Sequence, residues 1–185
     1  MSQPTVNIHD KEFELFIDQS SIEHEVARLG VELTHDYSSG DLVFVVVLSG
    51  AATFSVDLMK LVDLPWEVLY VKISSYSGTQ STGRIQEVFG CNELLNDKHV
   101  VILDDIVDTG ATVDFLKKSI AEKYNTRSIR TCAFLFKPEA FIGAENPNYI
   151  GFEIPNRFVV GYGLDYDEKG RNLKGIYQLK EQKLN

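Results

Sequence analysis

The sequence predicts an α/β fold, with a mainly parallel central sheet flanked by helices. Three observations carry this reading. Short apolar runs at 42–48, 67–75, 100–103 and 128–136 alternate with stretches of helical periodicity. The strongest of them, Leu42–Leu48, is apolar at every position, as a strand covered on both faces must be. A small-residue turn follows 42–48 and a Gly-containing turn follows 100–103, and in open parallel sheets ligands bind beyond the carboxyl ends of the strands.

Each element has its own signal. Residues 20–23, SSIE, read as a capping box, with Ser20 at the cap and Glu23 reaching back. Ile22, Val26, Leu29 and Leu33 then recur at helical spacing until DYSSGD closes the helix. After the 42–48 strand, Ser49-Gly50-Ala51-Ala52 turns into a helix carrying Phe54, Leu58 and Leu61. EVLYVKISS (67–75) is a strand, SSYSGTQSTG (74–83) a polar loop, and a short second strand lies near Arg84–Phe89. Val100–Leu103 is followed by a turn and a helix with Val113, Leu116 and Ile120. SIRTCAFLF (128–136) ends at Lys137-Pro138, and RFVVGYG (157–163) is the last strong strand, giving about five mainly parallel strands.

Size and composition narrow the function. A chain of 185 residues suits one domain, here 1–185, with a sizeable core. An apolar fraction of 44% and a charged fraction of 24% are those of a globular protein, and no run is long enough to span a membrane. The first residues are polar and acidic, unlike a secretory leader, so a cytoplasmic protein is expected. Cys91 and Cys132 stand far apart and read as reduced thiols. The formal charge of −9 argues against nucleic acid as a partner, because backbone phosphates need a basic face. His9, His24, His35 and His99 share no ligand spacing and read as structural or surface residues.

The stretch VVILDDIVDTGAT (100–112) poses the chemical question. A Gly-containing turn into a helix attracts phosphate, yet Asp104, Asp105 and Asp108 crowd the same turn and repel it. The turn has one Gly and no Lys, so it matches neither a nucleotide-triphosphate loop nor a dinucleotide fingerprint. It suits a single monophosphate, held by the N–H groups and hydroxyls of Thr109, Gly110, Ala111 and Thr112. The paired acids can accept hydrogen bonds from vicinal hydroxyls, and their field stabilises positive charge on a sugar ring. Together these describe a ribose 5-phosphate that turns cationic during reaction, with Mg2+ offsetting the remaining repulsion.

VVILDDIVDTGAT resembles the signature of type I phosphoribosyltransferases, which bind 5-phosphoribosyl-1-pyrophosphate (PRPP). FEIPNRFVVGYGLDYDEKGRNL (152–173) resembles the C-terminal region of the hypoxanthine-guanine branch, LFKP its purine-contacting lysine segment, and SSYSGTQSTG its flexible loop. The matching segments run from about Val43 to Leu173. The resemblance implies purine salvage: phosphoribosyl moves from PRPP to hypoxanthine or guanine, with Mg2+ required, giving IMP or GMP and pyrophosphate. It implies that Asp104 and Asp105 hold the ribose hydroxyls, that Asp108 accepts the purine proton, and that Thr109–Thr112 hold the 5-phosphate. Lys137 would meet the 6-oxo group, Phe158 would stack on the purine and the Val159 backbone would lie at its edge. Asp165 would contact Mg2+ or the base-side network. Ser49, Gly50 and Arg171 would meet pyrophosphate, and Ser75 and Tyr76 would belong to a lid.

The family's first pyrophosphate loop often reads Leu-Lys-Gly; here it is Leu48-Ser49-Gly50, so an inter-subunit contact made by that lysine is in question. Gly50 is expected for its backbone freedom. The hood over the ligand edge is expected from the N-terminal segment and roughly 138–157, and the assembly as a homodimer or homotetramer. Two rivals are a PRPP-sensing regulator that binds nucleic acid and a transferase preferring xanthine.

Overall fold

The computed structural model describes residues 4–38, 40–75 and 85–180. A hairpin of β1 (Thr5–Ile8) and β2 (Lys11–Ile17) opens the chain and leads into α1 (Gln19–Asp36). The cap of α1 is Asp18, not the expected Ser20. The Asp18 carboxylate accepts the Ser21 N–H at 2.8 Å and the Ser20 hydroxyl at 2.9 Å. An ionised acceptor at a helix N-terminus also complements the helix dipole, which a serine hydroxyl cannot do.

The central elements follow as β3 (Leu42–Leu48), α2 (Ala52–Leu61), β4 (Trp66–Ser75), β5 (Ile85–Phe89), β6 (His99–Val107), α3 (Ala111–Lys123), β7 (Ser128–Phe136) and β8 (Tyr149–Glu153). They form a six-stranded sheet in the order β5-β4-β3-β6-β7-β8. All neighbours are parallel except the β4–β5 pair at one edge. The expected α/β architecture is therefore present. Side-chain alternation along β3 explains its unbroken apolar run. Phe44 and Val46 enter the layer shared with α1 and α2, and Val43, Val45 and Val47 enter the layer shared with Leu116 and Ile120 of α3. Burying each such side chain contributes roughly 1.5–3 kcal/mol.

A second, antiparallel sheet has the order β1-β2-β10-β9, with β9 (Val159–Val160) and β10 (Ile176–Leu179). Its β1 and β2 come from the N-terminal segment, and none of its strands comes from residues 138–157. The strand in that stretch, β8, extends the large sheet beside β7, and residues 159–160 and 176–179 complete the small one. The strand expected over 157–163 shrinks to two residues, because positive φ at Gly161 (102°), Tyr162 (51°) and Gly163 (105°) curls the chain out of the extended region. No helix among the described residues is long and apolar enough to cross a membrane. Neither cysteine is in a disulfide.

Candidate active site

Strand order locates the site. From β3 the chain runs through α2 to β4 on one side, and β6 is then placed on the other side of β3. The reversal leaves a crevice at the carboxyl ends of β3 and β6, where open α/β sheets bind ligands. β6 is longer than the expected 100–103: it continues to Val107, so Asp104 and Asp105 belong to the strand and not to the turn. Only Asp108 stands in the turn proper. Ladder pairing of β6 with β7, through Asp104 and on to Val107, fixes the backbone that carries the acids.

Three segments converge on this crevice. The Leu48–Ser49 peptide is cis, and Ser49 is exposed. Gly50 lies directly against the Asp105 carboxylate: a Cβ built on Gly50 would fall 1.7 Å from Asp105 Oδ2. Gly50 has no positive φ, so the missing side chain, and not the expected backbone freedom, is what this position requires. Gly163 approaches from the third segment. Its φ is +105°, and a Cβ there would fall 2.1 Å from the Gly50 carbonyl oxygen.

The acids line a cleft of about 420 Å3 together with Val47, Ile73, Asp108 and Thr112. Asp104 is buried, which pushes its carboxyl well above the usual carboxylate range, and the charge of Asp105 pushes it further. Burial also raises Asp105, against hydrogen bonds that favour its charged form. Two desolvated carboxylates side by side are costly unless a ligand supplies donors or positive charge.

The start of α3 supplies such an environment for an anion. Gly110 caps the helix in the left-handed region at φ 85°, and no side chain caps it. A Gly110 Cβ would meet Phe141 Cε2 at 2.5 Å, so the turn is packed from behind and needs glycine on both counts. Asp108 accepts the Thr109 N–H, and the Thr109 hydroxyl lies 3.5 Å from the Ala111 N–H. The first N–H groups of the helix beyond these are left to a ligand.

The residues expected on the base side lie after β7 and in or beside the small sheet. Lys137 follows the last residue of β7, its N–H held by the Val107 carbonyl at 2.9 Å. Lys137 is half-buried, and its ammonium has no partner among the described residues. Phe158 is 45% exposed, unusual for a ring beside a strand. β9 is the open edge of its sheet. Because the Phe158 carbonyl accepts the Leu179 N–H from β10, the next residue, Val159, turns its own N–H and C=O toward that open edge. Asp165 and Arg171 brace one turn: Asp165 Oδ1 meets the Arg171 guanidinium at 2.8 Å, and Asp165 Oδ2 accepts the Glu168 N–H at 2.8 Å. Arg171 also donates to the Gly163 carbonyl at 2.9 Å, which ties this turn to the Gly50 contact.

Of the two residues expected in a lid, Ser75 ends β4 and Tyr76 lies outside the described residues. Lys11 and Tyr166, which pack on Phe158, and Asp10, which accepts the Tyr166 hydroxyl, are not singled out by the sequence; the alternation in KEFELFI (11–17) is the available signal for a strand there. A separate cavity of about 500 Å3 lies between α1 and α2 and has Arg171 alone in common with the expected site residues.

Comparison with known proteins follows the same lines. The model of the phosphoribosyl transferase domain matches residues 17–167. The chain is 36% identical to a hypoxanthine-guanine phosphoribosyltransferase of Mycobacterium bovis over 169 residues, covering 88% of this chain and 83% of the relative. It is 37% identical to the Staphylococcus aureus protein of the same name, over 95% of this chain and 98% of that one. The crystal structure of a hypoxanthine phosphoribosyltransferase from Staphylococcus aureus superposes with a TM-score of 0.84 at 36% identity, covering 90% of this chain and 91% of that chain.

Proposed function

We infer the function from one premise: the chain belongs to the phosphoribosyl transferase family, in its hypoxanthine-guanine branch. It is a purine-salvage transferase that moves phosphoribosyl from PRPP to hypoxanthine or guanine. The observation that carries the chemistry is the acid pair of β6, Asp104 buried and Asp105 partly so, beside an uncapped helix start. A monophosphate fits the helix start, and a vicinal diol fits the acids.

The placement of the residues supports the roles that the resemblance implies. Backbone N–H groups around Thr109–Thr112 hold the 5-phosphate and anchor the sugar. Asp104 and Asp105 accept the ribose hydroxyls; those donors favour the charged carboxylates and draw their raised pKa values back down. The charged pair then stabilises the ring as the bond from C1 to pyrophosphate breaks and positive charge builds. The purine imidazole nitrogen forms the new bond to C1, and its proton passes to Asp108. Ser49 and Gly50 meet the departing pyrophosphate, and the Arg171 guanidinium neutralises it. On the base side, Lys137 donates to the 6-oxo group, Phe158 stacks, and the Val159 backbone reads the purine edge.

Mg2+ fits this donor set. Among the described residues no three His, Cys, Asp or Glu side chains form a preformed metal cage. Mg2+ suits such a place, because it keeps several waters and takes one or two carboxylates plus phosphate oxygens. Asp165 would contact the ion directly or through the base-side network. The ion supplies charge neutralisation for the pyrophosphate. The protein works in the cytoplasm as a homodimer or homotetramer.

Pyrophosphate release with PRPP, Mg2+ and a 6-oxopurine is the test. Turnover that requires all three is expected. Absence of turnover with every purine, together with retardation of nucleic acid in a gel, would favour a PRPP-sensing regulator instead.

A further inference from the structure

We propose that Tyr166 is a positioning residue for the purine base: it buttresses Phe158 so that one face of that ring stays open to the base. The proposal rests on the reading of Phe158 as the stacking ring.

The ring is pinned by neighbours from two separate segments. Tyr166 meets it T-shaped, with ring centroids 5.8 Å apart and an interplanar angle of 83°. Phe13 of β2, fully buried, lies 6.2 Å from it and also 6.2 Å from Tyr166. The Lys11 ammonium stands over the Tyr166 ring at 4.4 Å and over the Phe158 ring at 5.8 Å. With a cation over one face, the other face of Phe158 is the one left for a flat ligand. That accounts for a ring held by so many partners yet nearly half exposed. Edge-to-face geometry also sets the electropositive rim of one ring against the face of the other, which fixes orientation as well as distance.

Tyr166 is itself held in place, as a buttress must be. Its hydroxyl donates to Asp10 Oδ1 at 2.9 Å. Its backbone exchanges hydrogen bonds with Lys169, N–H to O at 2.9 Å and 3.1 Å. His9 packs on its ring T-shaped at 5.6 Å. The β1–β2 hairpin and the 165–170 turn therefore clamp the phenol between them. A stacking ring fixed before the base arrives loses little side-chain freedom on binding, so the buttress raises base affinity without touching the base.

The test compares Tyr166→Leu, Tyr166→Phe and Phe158→Ala in full-length protein, with melting temperature and steady-state kinetics for hypoxanthine and PRPP. Tyr166→Leu is expected to raise KM for hypoxanthine roughly three- to tenfold, the worth of one aromatic pair, with kcat and the PRPP KM within about twofold. Tyr166→Phe keeps the ring contact and is expected to restore the hypoxanthine KM to within about twofold, even though it loses the Asp10 bond. A lower melting temperature for Tyr166→Leu with an unchanged hypoxanthine KM makes Tyr166 merely structural and overturns the proposal. So does a rise in KM that Tyr166→Phe fails to rescue. If Phe158→Ala raises KM and Tyr166→Leu does not, the buttress alone is wrong. If Phe158→Ala leaves KM unchanged, the stacking role fails and the buttress fails with it.

Discussion

Gly50→Ala isolates the contact that joins the proposed pyrophosphate loop to Asp105, one of the two acids proposed to hold the ribose. The added methyl would stand 1.7 Å from Asp105 Oδ2 and 2.5 Å from its Cγ. Real Cβ atoms essentially never come closer than 3.0 Å to such neighbours, so the carboxylate or the loop must retreat by at least 3.0 − 1.7 = 1.3 Å. The loop cannot back away freely, because the Gly50 carbonyl is itself packed against Gly163. Asp105 therefore leaves the position from which it is proposed to accept a ribose hydroxyl. A misplacement of about 1 Å at reacting groups can cost on the order of 10²-fold in rate, and overpacking of this kind costs roughly 1–3 kcal/mol of stability. Gly40→Ala is the control: φ is +81° there and nothing lies within 4 Å of the added Cβ, so it strains backbone without reaching the site. The assay is kcat/KM for pyrophosphate release, at a temperature where both variants are folded by circular dichroism. The expected result is a loss near 10²-fold for Gly50→Ala and less than about twofold for Gly40→Ala. A Gly50→Ala enzyme within about threefold of the parent would show that the Gly50–Asp105 approach does not set the catalytic geometry.

Two further substitutions probe the acids. Asp108→Asn should keep PRPP binding, measured by calorimetry with Mg2+, and lower kcat by roughly 10²–10⁴-fold, the usual cost of a lost general base; turnover within threefold of the parent removes Asp108 from that role. Asp104→Asn should weaken PRPP binding yet raise the melting temperature of the ligand-free protein near neutral pH. The folded state raises the Asp104 pKa, so the native form holds a proton that the unfolded chain releases, and the parent loses stability as pH rises between the two values. The stabilisation by Asn should accordingly shrink toward about pH 4, near the unfolded carboxylate value, and a melting-temperature difference independent of pH would contradict this.

The architecture of the large sheet was legible because its strands are apolar on both faces, as Leu42–Leu48 shows, and because Val113, Leu116 and Ile120 give α3 a clear period. The candidate site residues on that sheet stood out for the same reason: they lie at or just beyond the carboxyl ends of strong strands. The small sheet was not. Its strands β9 and β10 have two and four residues, too short for a period, and they pair across long sequence separations. Asp18 was passed over as a cap because SSIE offered a complete local pattern two residues later. The reason for Gly50 was equally hidden: sequence suggests conformational freedom, whereas a close approach to Asp105, 55 residues away, is visible only in three dimensions.

Purine discrimination by Lys137 tests the functional reading most directly. Its ammonium has donors only, and no protein group pairs with it among the described residues. A 6-oxo group accepts from it, whereas the 6-amino group of adenine sets donor against donor. The measurement is kcat/KM for pyrophosphate release with hypoxanthine, guanine, xanthine and adenine, for the parent and for Lys137→Ala. The parent should favour hypoxanthine and guanine over adenine by roughly 10⁴-fold, as sites built on one specific hydrogen bond do. Lys137→Ala should lower the oxopurine values sharply, leave the adenine value nearly unchanged and so collapse the ratio. A parent that uses adenine as well as hypoxanthine, or an alanine variant that keeps its discrimination, would contradict the assignment.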